Sequence, residues 1–258
     1  MRKKRYKYIY GPVPSWRLGS SLGVDPISGK KKICSFDCIY CQLGKTGVHT
    51  KKRKLFIPTE KVIEEIRSLP PVDIDYITFS GRGEPTLAKN LGDMITGVKR
   101  IRKEPVAVLT NASLLYDKEV RKDLSRADLV VGKVDASSEE MFKKISRPVK
   151  GIDLTKVIEG IRKFKRGYRG KLALQIMFIK DNEKYAKEIA RLAERIGADE
   201  VQLNTPLRPC AVRPLSRKRM QKIERHFKGL NAISIYKSVR KKVKPVSRKD
   251  TLKRRGKI

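Results

Sequence analysis

The sequence predicts an α/β protein made of parallel strand–helix units, curled into an open or wide barrel that holds a ligand. Two observations predict it. Strand-like apolar runs alternate with segments of helical period. Most of those strands also carry polar groups on one parity and apolar groups on the other. Strands are expected at 76–80, 106–110, 129–134, 172–179 and 201–204, with a sixth, the first in order, somewhere within 20–33. Helices are expected at 60–68, 91–103, 118–124, 139–145, 154–164, 183–196 and 216–227. Asp117, Ser138 and Asp181 or Asn182 stand where N-caps belong. The polar parity holds Thr78 and Ser80, Thr110, Lys133 and Asp135, Gln175, and Gln202 and Asn204. Ile77, Phe79, Leu172, Leu174, Ile176, Phe178, Val201 and Leu203 make up the apolar one. A closed eight-stranded barrel fills its interior with branched aliphatic layers, so a polar inner face implies an incomplete barrel around a cavity. A sheet with one solvated face is the alternative, and helices between parallel strands normally cover both faces.

The chain has 258 residues with 62 Lys and Arg against 27 Asp and Glu, a net charge of +35. With 39% hydrophobic residues it is too apolar for a disordered chain and long enough for a sizeable core. No apolar run approaches the ~18 residues of a membrane span, and no apolar stretch follows the basic N-terminus, so a cytoplasmic protein with no membrane partner is expected. The excess of base over acid is too large for balanced ion-pair networks and points to a polyanionic partner, RNA first. Basic runs occur at Arg2-Lys-Lys-Arg5, Lys30-Lys-Lys32 and Lys51-Lys-Arg-Lys54. Between Lys237 and Ile258 eleven Lys or Arg face one acid, Asp250, and this tail is expected to be poorly ordered until an anion holds it.

Cys34, Cys38 and Cys41 fall within eight residues, Cys-Ser-Phe-Asp-Cys-Ile-Tyr-Cys. A structural zinc site wants four ligands, whereas His49, His226 and Cys210 stand apart from this group and from one another. Three thiolates in one tight loop can instead hold three corners of an iron–sulfur cube, leaving the fourth iron for a ligand. A second motif, Ser80-Gly-Arg-Gly-Glu-Pro-Thr-Leu87, directly follows a strand. Its glycines permit close backbone approach, and Glu84 can accept hydrogen bonds from a ligand ammonium, although the glycines alone would read as a tight turn.

Together these motifs resemble those of the radical S-adenosylmethionine (SAM) enzymes. Cys-x3-Cys-x-aromatic-Cys is matched by Cys34, Cys38, Tyr40 and Cys41, and a Gly-Gly-Glu-like stretch is matched by Gly81 to Pro85. The resemblance implies a partial (β/α)6 radical SAM barrel. It also implies a [4Fe-4S] cluster on the three cysteines, and SAM chelating the fourth iron and cleaved to a 5′-deoxyadenosyl radical. A reductant such as ferredoxin or flavodoxin would supply the electron. A longer similarity, to the branch of wyosine-tRNA synthases, runs through Gly11-Pro-Val-Pro-Ser15, Leu22-Gly-Val-Asp25, Leu109-Thr-Asn111, Val134-Asp-Ala136, Val201-Gln-Leu-Asn-Thr-Pro206, Arg208-Pro209 and Leu252-Lys-Arg-Arg255. The expected organisation is a basic N-terminal extension (1–18), the radical SAM barrel (19–230) and a basic C-terminal tail (231–258).

By the same resemblance Tyr40, Gly83, Glu84, Asn111, Ser113 and Asp135 would line the SAM site, with Gln175, Leu203 and Asn204 reaching the adenosine. Asn111 also suits a strand-end turn, and Asp135 a helix cap. Lys133 shares parity with Asp135 and is able to bind an anion or form an imine, although most such lysines are simply ion-paired. Arg82 and Arg208 are expected at the barrel mouth as a phosphate grip. Trp16 and Tyr10 suit base stacking or core packing. The leading expectation is an enzyme of oxidoreductase or transferase type that modifies a nucleoside in RNA, tRNA above all. A radical SAM activase or maturase acting on a protein or peptide is the alternative, and a non-catalytic RNA-binding protein with a structural metal the third.

Overall fold

The computed structural model describes residues 5–255; Arg2, Lys3 and Lys4 of the first basic run and Lys257 of the tail lie outside the described residues. Strands β1 (Ile9–Ser15), β2 (Gly19–Val24), β5 (Tyr76–Phe79), β6 (Val106–Thr110), β7 (Leu129–Lys133), β8 (Lys171–Met177), β9 (Glu200–Asn204) and β10 (Ala232–Ser234) form one eight-stranded sheet in the order β1-β2-β5-β6-β7-β8-β9-β10. All neighbours from β2 onward pair in parallel, while β1 lies antiparallel to β2. A two-stranded parallel ribbon, β3 (Ile33–Cys34) with β4 (Val48–His49), carries the cysteine loop between its strands.

Helices α1 (Thr59–Arg67), α2 (Leu91–Ile101), α3 (Lys118–Leu124), α4 (Glu139–Ser146), α5 (Leu154–Gly167), α6 (Ala186–Ile196) and α7 (Arg217–Glu224) make the crossovers, and α8 (Arg248–Arg255) ends the described chain. The curled sheet and its ring of helices are a partial (β/α)6 barrel, from β2 to β9, with one strand added at each edge. Asp117, Ser138, Asp153 and Ser216 cap α3, α4, α5 and α7 through their side chains. Asn182 does not cap α6. Its Oδ1 accepts from the Ile179 amide at 2.8 Å, and its Nδ2 donates to the carbonyls of Asp135 and Met177 at 2.9 Å each. Asp181 pairs instead with Lys144 at 2.7 Å.

Strand parity works as expected on the outside, where Ile77, Phe79, Leu172, Leu174, Ile176, Val201 and Leu203 enter the large core beneath the helices. The inside is layered. Leu18, Ala107, Leu129, Val131 and Ala173 form an apolar plug, and polar groups begin only above it, toward the C-terminal ends of the strands. Thr110 departs from the expected inner set. It shares the parity of Val106 and Val108, which belong to the outer core, and its hydroxyl bonds Glu84 at 2.6 Å.

Two boundaries need correction. Residues 1–18 are not merely an extension, because β1 is a paired sheet strand and Ile9, Tyr10 and Val13 are buried. The expected tail, 231–258, is not loose over its described residues 231–255, because β10 pairs with β9 and α8 packs on β1. The Asp250 carboxylate accepts from the Tyr6 amide at 3.1 Å, the Thr251 hydroxyl accepts from the Gly11 amide at 3.0 Å, and the Val246 amide donates to the Gly11 carbonyl at 2.7 Å. Polar and backbone bonds hold this segment, which is why its low apolar content concealed its order.

Candidate active site

The cysteine loop is short of regular structure yet thoroughly bonded. Cys41 N donates to the Cys38 carbonyl, Thr50 N to the Cys34 carbonyl, Asp37 N to the carbonyls of Ser146 and Arg147, and Ile39 N to the Ile145 carbonyl, all within 3.1 Å. Lys32, the last residue of a basic run, is buried, and its ammonium donates to the Gly44 carbonyl at 3.0 Å across the loop. Gly83 packs its backbone on β3: a Cβ there would lie 1.7 Å from the Ile33 carbonyl oxygen, so no other residue fits.

Two buried networks hold the loop from either side. In the first, Glu84 Oε1 accepts from Thr86 N, Thr86 Oγ1 and Thr110 Oγ1 at 3.1, 2.7 and 2.6 Å, and Oε2 accepts from Asn111 N at 2.7 Å. The Asn111 amide group then reaches Ser35 Oγ at 2.9 Å and lies 3.6 Å from Cys34 Sγ, while Ser35 and Ser113 share a hydroxyl bond of 2.6 Å. Burial pushes the Glu84 carboxyl up, against the pull of those four bonds. Arg53, from the Lys51–Lys54 basic run, braces this turn by donating to the carbonyls of Thr86 and Ala88 and pairing with Asp123.

In the second network Asp135 Oδ1 accepts from Met177 N at 2.7 Å, and its Oδ2 takes the Tyr40 hydroxyl. Lys133 Nζ lies 3.4 Å from Asp135 Oδ2 and 4.7 Å from the Tyr40 ring centroid. Burial pushes the Cys38 thiol up to about 12, opposed by the Lys133 charge and reinforced by those of Asp135 and Cys41. Cys34 is likewise held above the ordinary thiol range, by burial first and then by Glu84 and Cys38. Thiols in this state release their protons on ligating a metal.

Among the described residues no three His, Cys, Asp or Glu side chains converge on a single metal ion. An iron–sulfur cube requires no such convergence, since each thiolate takes its own iron. Three free cysteines on one braced loop therefore fit a [4Fe-4S] cluster.

Beside the loop opens a cavity of about 490 Å3 above the apolar plug. Of the expected site residues, Tyr40, Cys41, Gln175 and Asn204 line it. Gly83, Glu84, Asn111, Ser113 and Asp135 stand behind that wall as the framework just described. Leu203 does not reach the cavity: its side chain packs in the outer core, one residue out of phase with Asn204. The opposite wall, which the sequence did not single out as a group, carries hydroxyls. Ser21 and Thr78 share a bond of 2.7 Å, as do Tyr10 and Ser80. Arg208 lines the cavity as expected and Arg82 does not; Arg17, Arg240 and Arg254 join it. Trp16 lies at the rim with the Arg17 guanidinium 5.4 Å from its ring. Tyr10 packs its ring over Gly23, where a Cβ would lie 2.1 Å from the ring.

A parallel partial barrel with three cysteines and a braced Gly-Arg-Gly-Glu turn at its C-terminal mouth defines a class of protein, and the class is confirmed by comparison. The Radical SAM superfamily profile matches residues 31–193, and the chain belongs to that superfamily. Its enzymes use a [4Fe-4S] cluster and SAM. More particularly it groups with the UPF0026 proteins: one from Synechocystis is 43% identical over 210 residues, 81% of this chain and 78% of that one. A Brachyspira hyodysenteriae protein named GTPase Obg is 38% identical over 241 residues, 90% of this chain but 35% of its own length. A probable GTP 3',8-cyclase of Saccharolobus islandicus is 27% identical over 212 residues, 81% of this chain and 65% of that one. The fold is shared with a structure of TYW1 bearing a lysine–pyruvate adduct (TM-score 0.62, 16% identity, 81% of this chain and 73% of that one). It is shared too with Streptococcus suis SuiB bound to the precursor peptide SuiA (TM-score 0.62, 13% identity, 82% of this chain and 48% of that one). No helix among the described residues is long and apolar enough to cross a membrane.

Proposed function

We propose that this radical SAM enzyme modifies a nucleoside in RNA, with tRNA the substrate class to test first. The observation that supports it most is the rim of the cavity. Arg17 from the β1–β2 turn, Arg208 after β9 and Arg240 after β10 line one cavity in a chain of net charge +35, while Arg254 on α8, which also lines it, is buried against Asp25 and bonded to the Asp250 carbonyl. Guanidinium groups suit phosphate oxygens in geometry as well as charge. An enzyme working on one base must take it out of its stack, and unpaired loop nucleotides are the easiest to splay.

When bound, the cluster and SAM supply a 5′-deoxyadenosyl radical that abstracts hydrogen from a substrate. The chain supplies the setting. Asp135 and Lys133 fix the Tyr40 ring at the cavity wall, and Glu84 and Asn111 fix the loop that presents Cys34. The apolar plug closes the far end against water. Hydroxyls of Ser21, Thr78 and Ser80 offer donors and acceptors to an uncharged heterocycle.

The experiment is anaerobic reconstitution followed by measurement of 5′-deoxyadenosine formed from SAM, alone and with total tRNA, GTP or a peptide mixture. Stimulation by tRNA that disappears in Cys38→Ala supports the reading. Stimulation by GTP or by peptides, with tRNA inert, overturns it.

A further inference from the structure

A second concavity, of about 500 Å3, shares no lining residue with the cavity at the barrel mouth. Asp37 and His49 of the cysteine loop form one side of it, and Lys143, Arg147 to Ile152 of the α4–α5 connection form the other. Its floor is the back of the cluster-binding loop: Val149 N donates to the Ser35 carbonyl at 2.9 Å, the neighbour of Cys34, and His49 Nε2 bonds the same oxygen at 3.0 Å. Phe36, between Cys34 and Cys38, bridges to Pro148.

We infer that this groove is the docking site for the electron donor, a small acidic one-electron carrier protein. Four observations converge. The groove is the outer face of the loop holding Cys34 and Cys38, so a carrier seated there lies a few bonded contacts from the iron ligands without entering the substrate cavity. Electron transfer falls off steeply with distance, which favours such a face. Its charge complements an acidic partner: Arg147 and Lys150 form no ion pair among the described residues, and Lys51 hangs over Gly151 beside them. Asp37 is the acid lining the groove, and it is occupied by the Thr46 amide at 2.6 Å and faces Lys32. The groove also has an apolar component, with Pro148, Val149 and Ile152 inside it and Val48, next to His49, 43% exposed at its edge. Finally, Arg147 ends α4 with φ at +47°, a left-handed position where glycine or asparagine is usual. A long cationic side chain kept at a strained position marks a functional surface.

The step is a one-electron transfer with no bond made or broken. The carrier's anionic flavin hydroquinone would be oxidised to the neutral semiquinone, and its one electron would reduce the cluster that Cys34, Cys38 and Cys41 would hold. The inference rests on the chain's being a radical SAM enzyme and is independent of whether RNA is the substrate.

The test uses the reconstituted holoenzyme and a flavodoxin. Its Kd is measured by titration calorimetry at low and high salt, alongside 5′-deoxyadenosine formation driven by flavodoxin or by dithionite. The double variant Lys51→Glu, Lys150→Glu is expected to raise Kd at least tenfold and slow the flavodoxin-driven reaction in proportion, with iron content and the dithionite-driven reaction unchanged. Arg147→Gly suits the left-handed backbone and so keeps the fold; it is expected to weaken binding while leaving thermal stability equal or higher. The double variant Lys218→Glu, Lys222→Glu on α7 changes net charge by the same amount, is the control for it, and is expected to bind flavodoxin normally. Unchanged Kd in the groove variants, equal weakening in the α7 double variant, or selective loss of tRNA binding with flavodoxin binding intact would each overturn the inference. Failure of tRNA to stimulate SAM cleavage would leave it standing.

Discussion

The cysteine loop and the C-terminal segment are both poor in regular structure, and they are held in opposite ways. The loop is locked by buried bonds: Glu84, Asn111 and Ser35 grip it on one side, Asp135, Tyr40 and Lys133 on the other. The C-terminal segment is tied mostly at the surface. Lys237 pairs with Glu224 and Lys241 with Asp75, both with lysines more than half exposed, and a few bonds from Asp250 and Thr251 secure α8. Buried bonds to charged groups cost much to break and exposed ion pairs cost little. One region is therefore held from within along its whole length, and the other from within only where Asp250 and Thr251 fasten α8 to β1.

The largest effect should come from the loop itself. Cys38→Ala is expected to lower iron from roughly four per chain to near none and abolish 5′-deoxyadenosine formation, as read by iron analysis and product chromatography. Next is the framework behind it. Glu84→Ala strands the Thr110 hydroxyl and the Asn111 amide in the interior and should cost about 3 kcal/mol in urea unfolding of the apo protein. Thr251→Ala, which removes one tie of α8, should cost about 1 kcal/mol in the same assay. Equal losses in the two variants would break the contrast between the regions.

Affinity sharpens it from the other direction. If the arginine rim and C-terminal segment supply ~6 phosphate contacts, tRNA binding should fall ~10³-fold between 50 and 200 mM salt. Replacing the exposed Arg248, Lys249 and Lys253 of α8 with Ser should flatten that slope while iron content holds, and a slope that does not change would assign the RNA contacts elsewhere.

The smallest effect is on pH. Burial pushes the Asp250 carboxyl up, but bonds from Ser247 and the Tyr6 amide, with the Arg254 charge, outweigh it and leave it below the usual carboxylate range. Its folded value is depressed, so its contribution is complete above the ordinary carboxylate value of ~3.9 and is lost as pH falls through the folded one. The protection factors of the α8 amides, corrected for the intrinsic pH dependence of exchange, should fall below about pH 4, and in Asp250→Asn they should not show that fall.

The cysteines, Tyr40 and the Gly-Arg-Gly-Glu turn were legible because spacing within one loop is a local property, and the parallel strands because each carries its own period. Asn182 was misread as a helix cap, since a cap and a strand-end staple look alike until the partner carbonyls of Asp135 and Met177 are in place. Lys32 and Arg53 read only as members of basic runs, because charge patterning does not reveal which lysine or arginine finds a carbonyl to hold.

By itself the sequence determined the fold class, the three-cysteine spacing and the strongly basic character of the chain. The tertiary structure alone decided which polar residues face the cavity and which brace it from behind. It also put Leu203 in the outer core, folded residues 231–255 onto β1 and β9, and joined four distant arginines at one rim. The reason is physical: period and spacing are written between near neighbours, whereas buried hydrogen bonds join partners up to 244 positions apart, as Tyr6 and Asp250 are. No local pattern announces them.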